Sequence, residues 1–278
     1  MANQNAATLF RYMPPLRERW LPCLDEKLWY SQPRSFNDPW DSQFPLLFDT
    51  ALVPTGGKQA CLRQYSEKFK EALADLFEPP DTPFAEEPGS LIASLTPWAK
   101  SVSHRLSSVA TACFCRTLHS HLLWSYYAAS HQGICIEYDY CYQPDWKLQA
   151  QELVLPVRYS SHFPAIQLSE ILAAKYPMKY VGELLFTKNL AWAHENEWRA
   201  VLLGKRGNAL YELPRGVRLT RVHAGCAMPV ELLHQLTKDC ATRNLPVSQL
   251  RRASNSYALL EPGEWDDAGV IDPTRGVA

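Results

Sequence analysis

Glycine is scarce in this chain, at twelve residues in 278. None of them forms a phosphate-cradling G-x-x-x-x-G-K-[ST] loop or a G-x-G-x-x-G turn, so P-loop and Rossmann-type nucleotide binding are not expected. Any nucleotide site must be built another way. A surplus of one charge is also missing. Lys and Arg number 28 against 29 Asp and Glu, for a net charge of −1. Proteins that neutralise many phosphates carry a basic surplus, so only a local basic patch is left open here. No apolar run approaches the roughly 20 residues that span a bilayer, and no membrane partner is expected. The opening residues, MANQNAATLFRYMPP, have neither a basic start nor an apolar core, so a secretion signal is not expected. Cysteines stand at 23, 61, 113, 115, 135, 141, 226 and 240, with no CxxC pair and no histidine at zinc-finger spacing. Cys113, Cys115 and Cys135 lie in apolar runs, where thiols behave as small hydrophobes. Reduced thiols in a cytoplasm are therefore expected, with a catalytic Cys115 as the alternative. No internal repeat is visible.

What is present describes a globular chain, with 46% hydrophobic and 21% charged residues. The length allows one large domain or two modest ones, and a single α+β domain is the expectation. Nine Trp and thirteen Tyr serve a core first and ligands second. Thr8 to Tyr12 reads as a strand carrying Arg11, ended by Pro14 and Pro15. Leu16 to Leu24 resembles a short helix, and Leu28 to Ser31 a second strand. QPRSFNDPWDSQF, residues 32–44, is dense in turn formers. Asn37 and Asp38 either bond their own backbone there or rim a site. Residues 46–108 read as a helical insertion, amphipathic through Leu62, Tyr65, Phe69, Leu73 and Leu76, with a proline-rich linker near Glu78 to Gly89.

The pattern sharpens at Val109. VATACFC reads as a buried strand, Thr117 to Ser130 as a helix ended by Gly133, and Ile134 to Tyr140 as an alternating strand. His131, at the helix end, either complements the helix dipole or faces a ligand. Leu153 to Tyr159 is an edge strand because of Pro156, and Ser169 to Lys188 is helical. Val217–His223 and Val247–Leu260 are strands, separated by a helix over Val230–Arg243. The tail from Glu261 is polar.

The densest chemistry lies between Lys188 and Leu203, KNLAWAHENEWRAVLL. Leu190, Trp192 and Ala193 suit a helix end, whereas Trp198 to Leu203 reads as a buried strand. Glu195 and Glu197 sit two apart at the junction, and on a strand such residues share a face. Arg199 continues the row. Paired carboxylates repel, which suits a cationic or proton-bearing substrate. The competing reading is a solvated Glu–Arg ladder, which is common and weak.

Several stretches, taken together, resemble the bacterial family called domain of unknown function 2971. They are TLFRY, LWYSQPRSFNDPWDSQF, ACFC, LLWSYYAASHQGICIEYD, VRY and FTKNLAWAHENEWRAV. More distantly, the order of elements resembles the ADP-ribosyltransferase fold, which implies a mixed, split β-sheet with flanking helices. That resemblance implies NAD as the substrate and an acceptor that is a nucleic acid or a protein. It also implies a role in toxicity or phage defence. It places Arg11 on the first strand against the dinucleotide, with Tyr12 and Ser31 beside it. Glu197 would stabilise the oxocarbenium-like ribose, and Glu195 would take the acceptor's proton. Trp124, Tyr127 or Trp192 would meet the base, His131 would face the ligand, Asn37 and Asp38 would rim the site, and Arg199 would line it. The chain departs from the family where a serine would stand, since Cys115 occupies that position; Thr111, Thr117 and Tyr127 are the nearby hydroxyls. Two other readings stand beside this one. One is a non-catalytic binding or sensor module, in which Trp124 and Trp192 are core and Lys188 caps a helix. The other is a metal-dependent nuclease using Asp38, Asp41, Glu195 and Glu197.

Overall fold

The computed structural model describes residues 6–42, 46–47, 109–141, 152–164, 166–167, 178–254 and 256–264. In chain order the first elements are β1 (Ala6–Met13), α1 (Arg17–Leu24), β2 (Lys27–Tyr30), β3 (Leu46–Leu47), β4 (Val109–Cys115), α2 (His121–Tyr127) and β5 (Ile134–Cys141). Then come β6 (Glu152–Pro156), β7 (Arg158–Ser160), β8 (Ile166–Gln167), α3 (Met178–Leu185), β9 (Thr187–Asn189) and β10 (Glu197–Arg206). The last are β11 (Ala209–Glu212), β12 (Val217–Ala224), α4 (Val230–Ala241), β13 (Val247–Gln249), β14 (Arg251–Arg252) and β15 (Leu259–Leu260). Among the described residues the fold is mixed α+β, with few helices and a large, mostly antiparallel sheet. Two compact units divide the chain.

The first unit takes the described residues within Met1–Trp29, Cys113–Lys147 and Leu210–Ala278. Its strands lie in the order β13-β12-β5-β1, followed by the Cys113–Cys115 end of β4. Only β12 and β13 pair in parallel; β1 with β5, β5 with β12, and β1 with β4 are antiparallel. Strand alternation sorts the residues onto two faces. Leu9, Arg11 and Met13 stand opposite Tyr138, Ile136 and Ile134 on one face, and Phe10 and Tyr12 stand opposite Glu137 and Cys135 on the other. Helix α1 buries Trp20, Cys23 and Leu24. It is clamped to α4 by a forked ion pair, with Arg17 Nε and Nη2 donating to Asp239 at 2.9 and 2.8 Å. Trp20 Nε1 donates to the same carboxylate at 3.1 Å. Arg17, helped by Trp20 and Gln235, holds the Asp239 pKa down at about 2.

The other face packs Leu118, Trp124, Ala128, Cys135, Leu250 and Leu259 with Phe10, Tyr12 and Cys226. Helix α2 is shorter than the 117–130 helix expected. Ser120 caps its start by accepting from Leu123 N, and its end runs into three left-handed residues. Ala129, Ser130 and His131 have φ of 47, 56 and 66°. The expected strand over Val247–Leu260 is three short pieces, with β14 turning back to pair β15.

The second unit takes the described residues within Tyr30–Ala112 and Leu148–Ala209. Strand β10 pairs antiparallel with β6, where Trp198 stands opposite Pro156. Strand β7 pairs in parallel with β9, β3 with β8, and Ser31 bridges Thr111. The expected run Leu153–Tyr159 is thus two strands with different partners. Proline has no N–H for a ladder, and β6 ends at Pro156. Val154, Val157, Leu184, Leu185, Phe186, Ala200, Val201 and Leu203 are buried. Of the expected helical insertion, Leu46–Leu47 forms a strand; residues 48–108 and 265–278 lie outside the described residues.

Candidate functional site

Strand β10 opens on Glu197 and is preceded by a 3-10 helix over Leu190–Glu195. The helix starts where Asn189 accepts from Ala191 N at 2.9 Å, and it ends at Asn196, which adopts φ 43° and ψ 51°. Asparagine tolerates this left-handed geometry better than most residues. Glu195 therefore does not lie on the strand, as the i, i+2 reading assumed. The left-handed turn at Asn196 brings its carboxylate beside that of Glu197.

Both carboxylates meet one ammonium. Lys188 Nζ donates to Glu195 Oε2 at 2.5 Å and to Glu197 Oε2 at 3.0 Å. Lys188 is a buried residue of β9, paired with Tyr159, rather than a helix cap. Arg199 continues the row as expected. Its Nε donates to Glu197 Oε1 at 2.7 Å. Its Nη1 and Nη2 fork onto Asp41 at 2.9 and 2.6 Å. Nη1 also donates to the Leu185 carbonyl at 2.7 Å. A planar guanidinium suits two carboxylates at once, where a lysine would not. The Phe36 ring lies 5.3 Å from the Arg199 guanidinium carbon, and the half-buried Trp192 ring 5.0 Å from Lys188 Nζ. The Glu197 N–H donates to Tyr159 Oη at 2.7 Å, and burial, the largest influence, pushes that phenol up to about 12.

The result is a buried cluster of three carboxylates, Asp41, Glu195 and Glu197, around two cations, Lys188 and Arg199. The five side chains are between 0 and 7% exposed. This is not the solvated ladder of the competing reading. Asp41 entered the sequence reading only as a possible metal ligand; here its carboxylate holds Arg199. Among the described residues no group of three or more His, Cys, Asp and Glu is placed to hold a metal ion.

The NDPWD turn delivers Asp41. Asp38 Oδ1 accepts from Trp40 N at 2.9 Å and the Asp38 carbonyl from Asp41 N at 3.1 Å, so Asp38 shapes the turn. Its Oδ2 is buried without a hydrogen-bond partner among the described residues. Asn37 is exposed. Ser31 exchanges two backbone hydrogen bonds with Thr111, at 2.8 and 2.9 Å.

In the first unit, Arg11 and Tyr12 face opposite sides of the sheet. Arg11 Nη2 donates to the Trp29 carbonyl at 2.7 Å, its guanidinium lies 6.0 Å from the Phe114 ring centre, and its Nη1 is buried without a hydrogen-bond partner among the described residues. Tyr12 joins Trp124 and His131. The Tyr12 and Trp124 rings meet edge-on at 5.1 Å, and Trp124 stacks on His131 at 6.0 Å. Trp124 is fully buried and donates Nε1–H to the Leu118 carbonyl at 2.7 Å, the contacts of a core residue. Tyr12 donates to the Thr117 carbonyl at 2.8 Å, and burial raises its pKa strongly. The His131 backbone is pinned: its N–H donates to the Trp124 carbonyl, and its own carbonyl would lie 2.0 Å from a Cβ at Gly225. Only glycine fits there. Burial, then His121, lowers the His131 pKa. Tyr127 is half-buried on α2. Cys115 is buried and directs Sγ to the Thr117 carbonyl at 3.3 Å. All seven described cysteines are free thiols. Among the described residues, no helix is long and apolar enough to cross a membrane.

No curated protein and no solved structure matches the chain. One family model does, over residues 123–200, a stretch that holds most of α2, all of β5 and the Lys188, Glu195, Glu197 and Arg199 cluster. That model is described as protein of unknown function (DUF2971), and the stretches LLWSYYAASHQGICIEYD, VRY and FTKNLAWAHENEWRAV of the resemblance fall almost wholly within it.

Proposed function

We propose that the chain is an NAD-consuming enzyme of ADP-ribosyltransferase type, or a glycohydrolase of the same dinucleotide. One observation carries this reading: Glu195 and Glu197 converge on one ammonium inside a buried cluster of carboxylates. Two converging carboxylates favour a cationic group beside them. The substrate supplies positive charge twice. The nicotinamide ring of NAD is cationic, and the ribose becomes oxocarbenium-like as the glycosidic bond breaks. That bond breaks with its electron pair going to nicotinamide. The acceptor, a nucleic acid, a protein or water, forms the new bond at the same ribose carbon and gives its proton to Glu195. Glu197 stabilises the ribose charge, and the half-buried Trp192 offers a flat face to the ring. The order of elements supports the likeness to the ADP-ribosyltransferase fold: a strand–helix–strand passage through β4, α2 and β5, and a late strand opening on a glutamate. A role in toxicity or phage defence belongs to the same proposal.

The second reading is a non-catalytic binding or sensor module. The closure of the cluster favours it, because Glu197 is held by Lys188 and Arg199 together. A ligand must displace one of them to reach it. The test is nicotinamide release from NAD by the purified chain, with and without cell extract, beside a Glu197→Gln variant whose melting curve shows it folded at the assay temperature. Release that the variant loses supports the enzyme. No release under either condition, and no thermal shift with NAD, leaves the binding module.

A further inference from the structure

The first unit buries a histidine with both ring nitrogens engaged. His223 Nε2 lies 2.7 Å from Glu137 Oε2, and His223 Nδ1 lies 2.9 Å from Ser248 Oγ. Strand register produces this. In the antiparallel β5–β12 ladder Arg221 stands opposite Glu137, and His223, two residues on, shares that face. In the parallel β12–β13 ladder His223 stands opposite Ser248. Three neighbouring strands thus deliver a carboxylate, an imidazole and a hydroxyl in a row, although 86 and 25 residues of chain separate the partners.

The protonation pattern follows from the partners. A carboxylate only accepts, so Nε2 carries the ring proton and Nδ1 offers its lone pair to the Ser248 hydroxyl. Burial, the largest influence, pushes the His223 pKa down against the opposite pull of Glu137. The imidazole is then neutral at pH 7 and able to take a proton. Glu137 is itself held, since Thr220 Oγ1 donates to its carbonyl at 3.1 Å. The other charged groups facing His223 are Glu261, whose carboxylate lies 4.0 Å from Nδ1, and Arg221, 3.7 Å from Glu261.

We propose that Ser248, His223 and Glu137 form a nucleophile–base–acid relay that hydrolyses small carboxylic esters. Relative to the usual serine relay the ring nitrogens exchange roles, with the hydroxyl on Nδ1 and the acid on Nε2. Ser248 Oγ forms a bond to the ester carbonyl carbon as its proton passes to Nδ1. Collapse of the tetrahedral species breaks the bond to the alcohol, which leaves with that proton. Water then adds to the acyl-serine and gives a proton to Nδ1; breakdown returns it to Ser248 Oγ and releases the acid. Glu137 is a positioning residue that holds the ring and balances the imidazolium. Strand β13 ends the strand order and Ser248 is buried, at 8% exposure, so the substrate class assigned to it is the small ester.

The test treats the full chain with a small alkyl fluorophosphonate. Displacement of fluoride by Oγ leaves a phosphonylated serine that peptide mapping locates. The expected result is labelling at Ser248, half-maximal below pH 6.5 because the base is a histidine of lowered pKa. Ser248→Ala abolishes the label, His223→Gln slows it by about 10²-fold or more, and Glu137→Gln slows it while shifting the pH profile. The same variants lose p-nitrophenyl acetate hydrolysis. Two results overturn the proposal: folded wild-type chain that stays unlabelled at Ser248 from pH 5 to 9, or labelling there with no histidine-like pH dependence. Either would make the relay a cross-strand tie only. Since both are read on the wild type, a variant that fails to fold does not remove the test.

Discussion

The two units handle buried polarity in opposite ways. The second unit buries full charges, with Asp41, Glu195 and Glu197 closing around Lys188 and Arg199. The first unit, on the face of its sheet that carries Tyr12 and His223, buries a histidine of lowered pKa and a stack of rings. An ion cluster tolerates one arrangement, because each member removed strands its partner in a poor dielectric. A hydrogen-bonded and aromatic face depends more on area and shape. The second unit should therefore be brittle toward loss of single charged groups, and the first toward loss of volume and toward acid.

The largest effect should come from breaking the second unit's cluster. Arg199→Ala removes the guanidinium that forks onto Asp41 and reaches Glu197, leaving Lys188 at 3.9 and 3.0 Å from them, and is expected to cost about 3–5 kcal/mol, read as a lower urea midpoint. Arg199→Lys should recover only part of this, since one ammonium cannot fork onto Asp41 and reach Glu197 together. If Arg199→Ala were nearly neutral, the cluster would not be holding the second unit. Trp124→Ala is the counterpart in the first unit, with an expected loss of about 3 kcal/mol from cavity and lost contact area. Trp124→Phe should cost less and should free the Leu118 carbonyl. A smaller effect, about 1 kcal/mol, is expected for Tyr159→Phe, which removes the oxygen that accepts from Glu197 N.

Acid sharpens the comparison. His131 and His223 have folded pKa values below their ordinary value, so the unfolded chain binds the extra protons first. Their contribution is complete above pH 6.5 and is lost as pH falls through the lowered folded values. Asp239 follows the same sign lower down: its contribution is present above 3.8 and is lost as pH falls toward about 2. Denaturation followed by tryptophan fluorescence should show the first unit, with Trp20 and Trp124, weakening in those two windows. The smallest effect is expected for Arg17→Ala. The Arg17 side chain is 52% exposed, so solvent screens the pair with Asp239 and the urea midpoint should barely move.

Most strands were legible because alternation and apolar runs are local signals. VATACFC, ICIEYDYC and the run from Trp198 to Leu203 all became strands at nearly the expected bounds. Errors fell where backbone geometry overrides pattern. The left-handed turn at Ala129, Ser130 and His131 cut α2 short, and Pro156 divided one expected strand into two. The E-x-E-x-R row was legible as a site, but its partners were not. Asp41 lies 158 residues from Arg199, and nothing local to either residue points at the other. The relay of Glu137, His223 and Ser248 was missed for the same reason.

The sequence by itself determined the resemblance to one family, the position of β10 and the acid-rich segment before it, since residue order and hydrophobic period carry these. Tertiary structure alone decided that Lys188 and Arg199 sit among three carboxylates, that Arg11 and Tyr12 face opposite ways in relation to their neighbours, and that a serine meets a histidine on an adjacent strand. Charge compensation in a buried cluster depends on distances of a few ångströms between residues far apart in the chain. Only the folded register sets those distances.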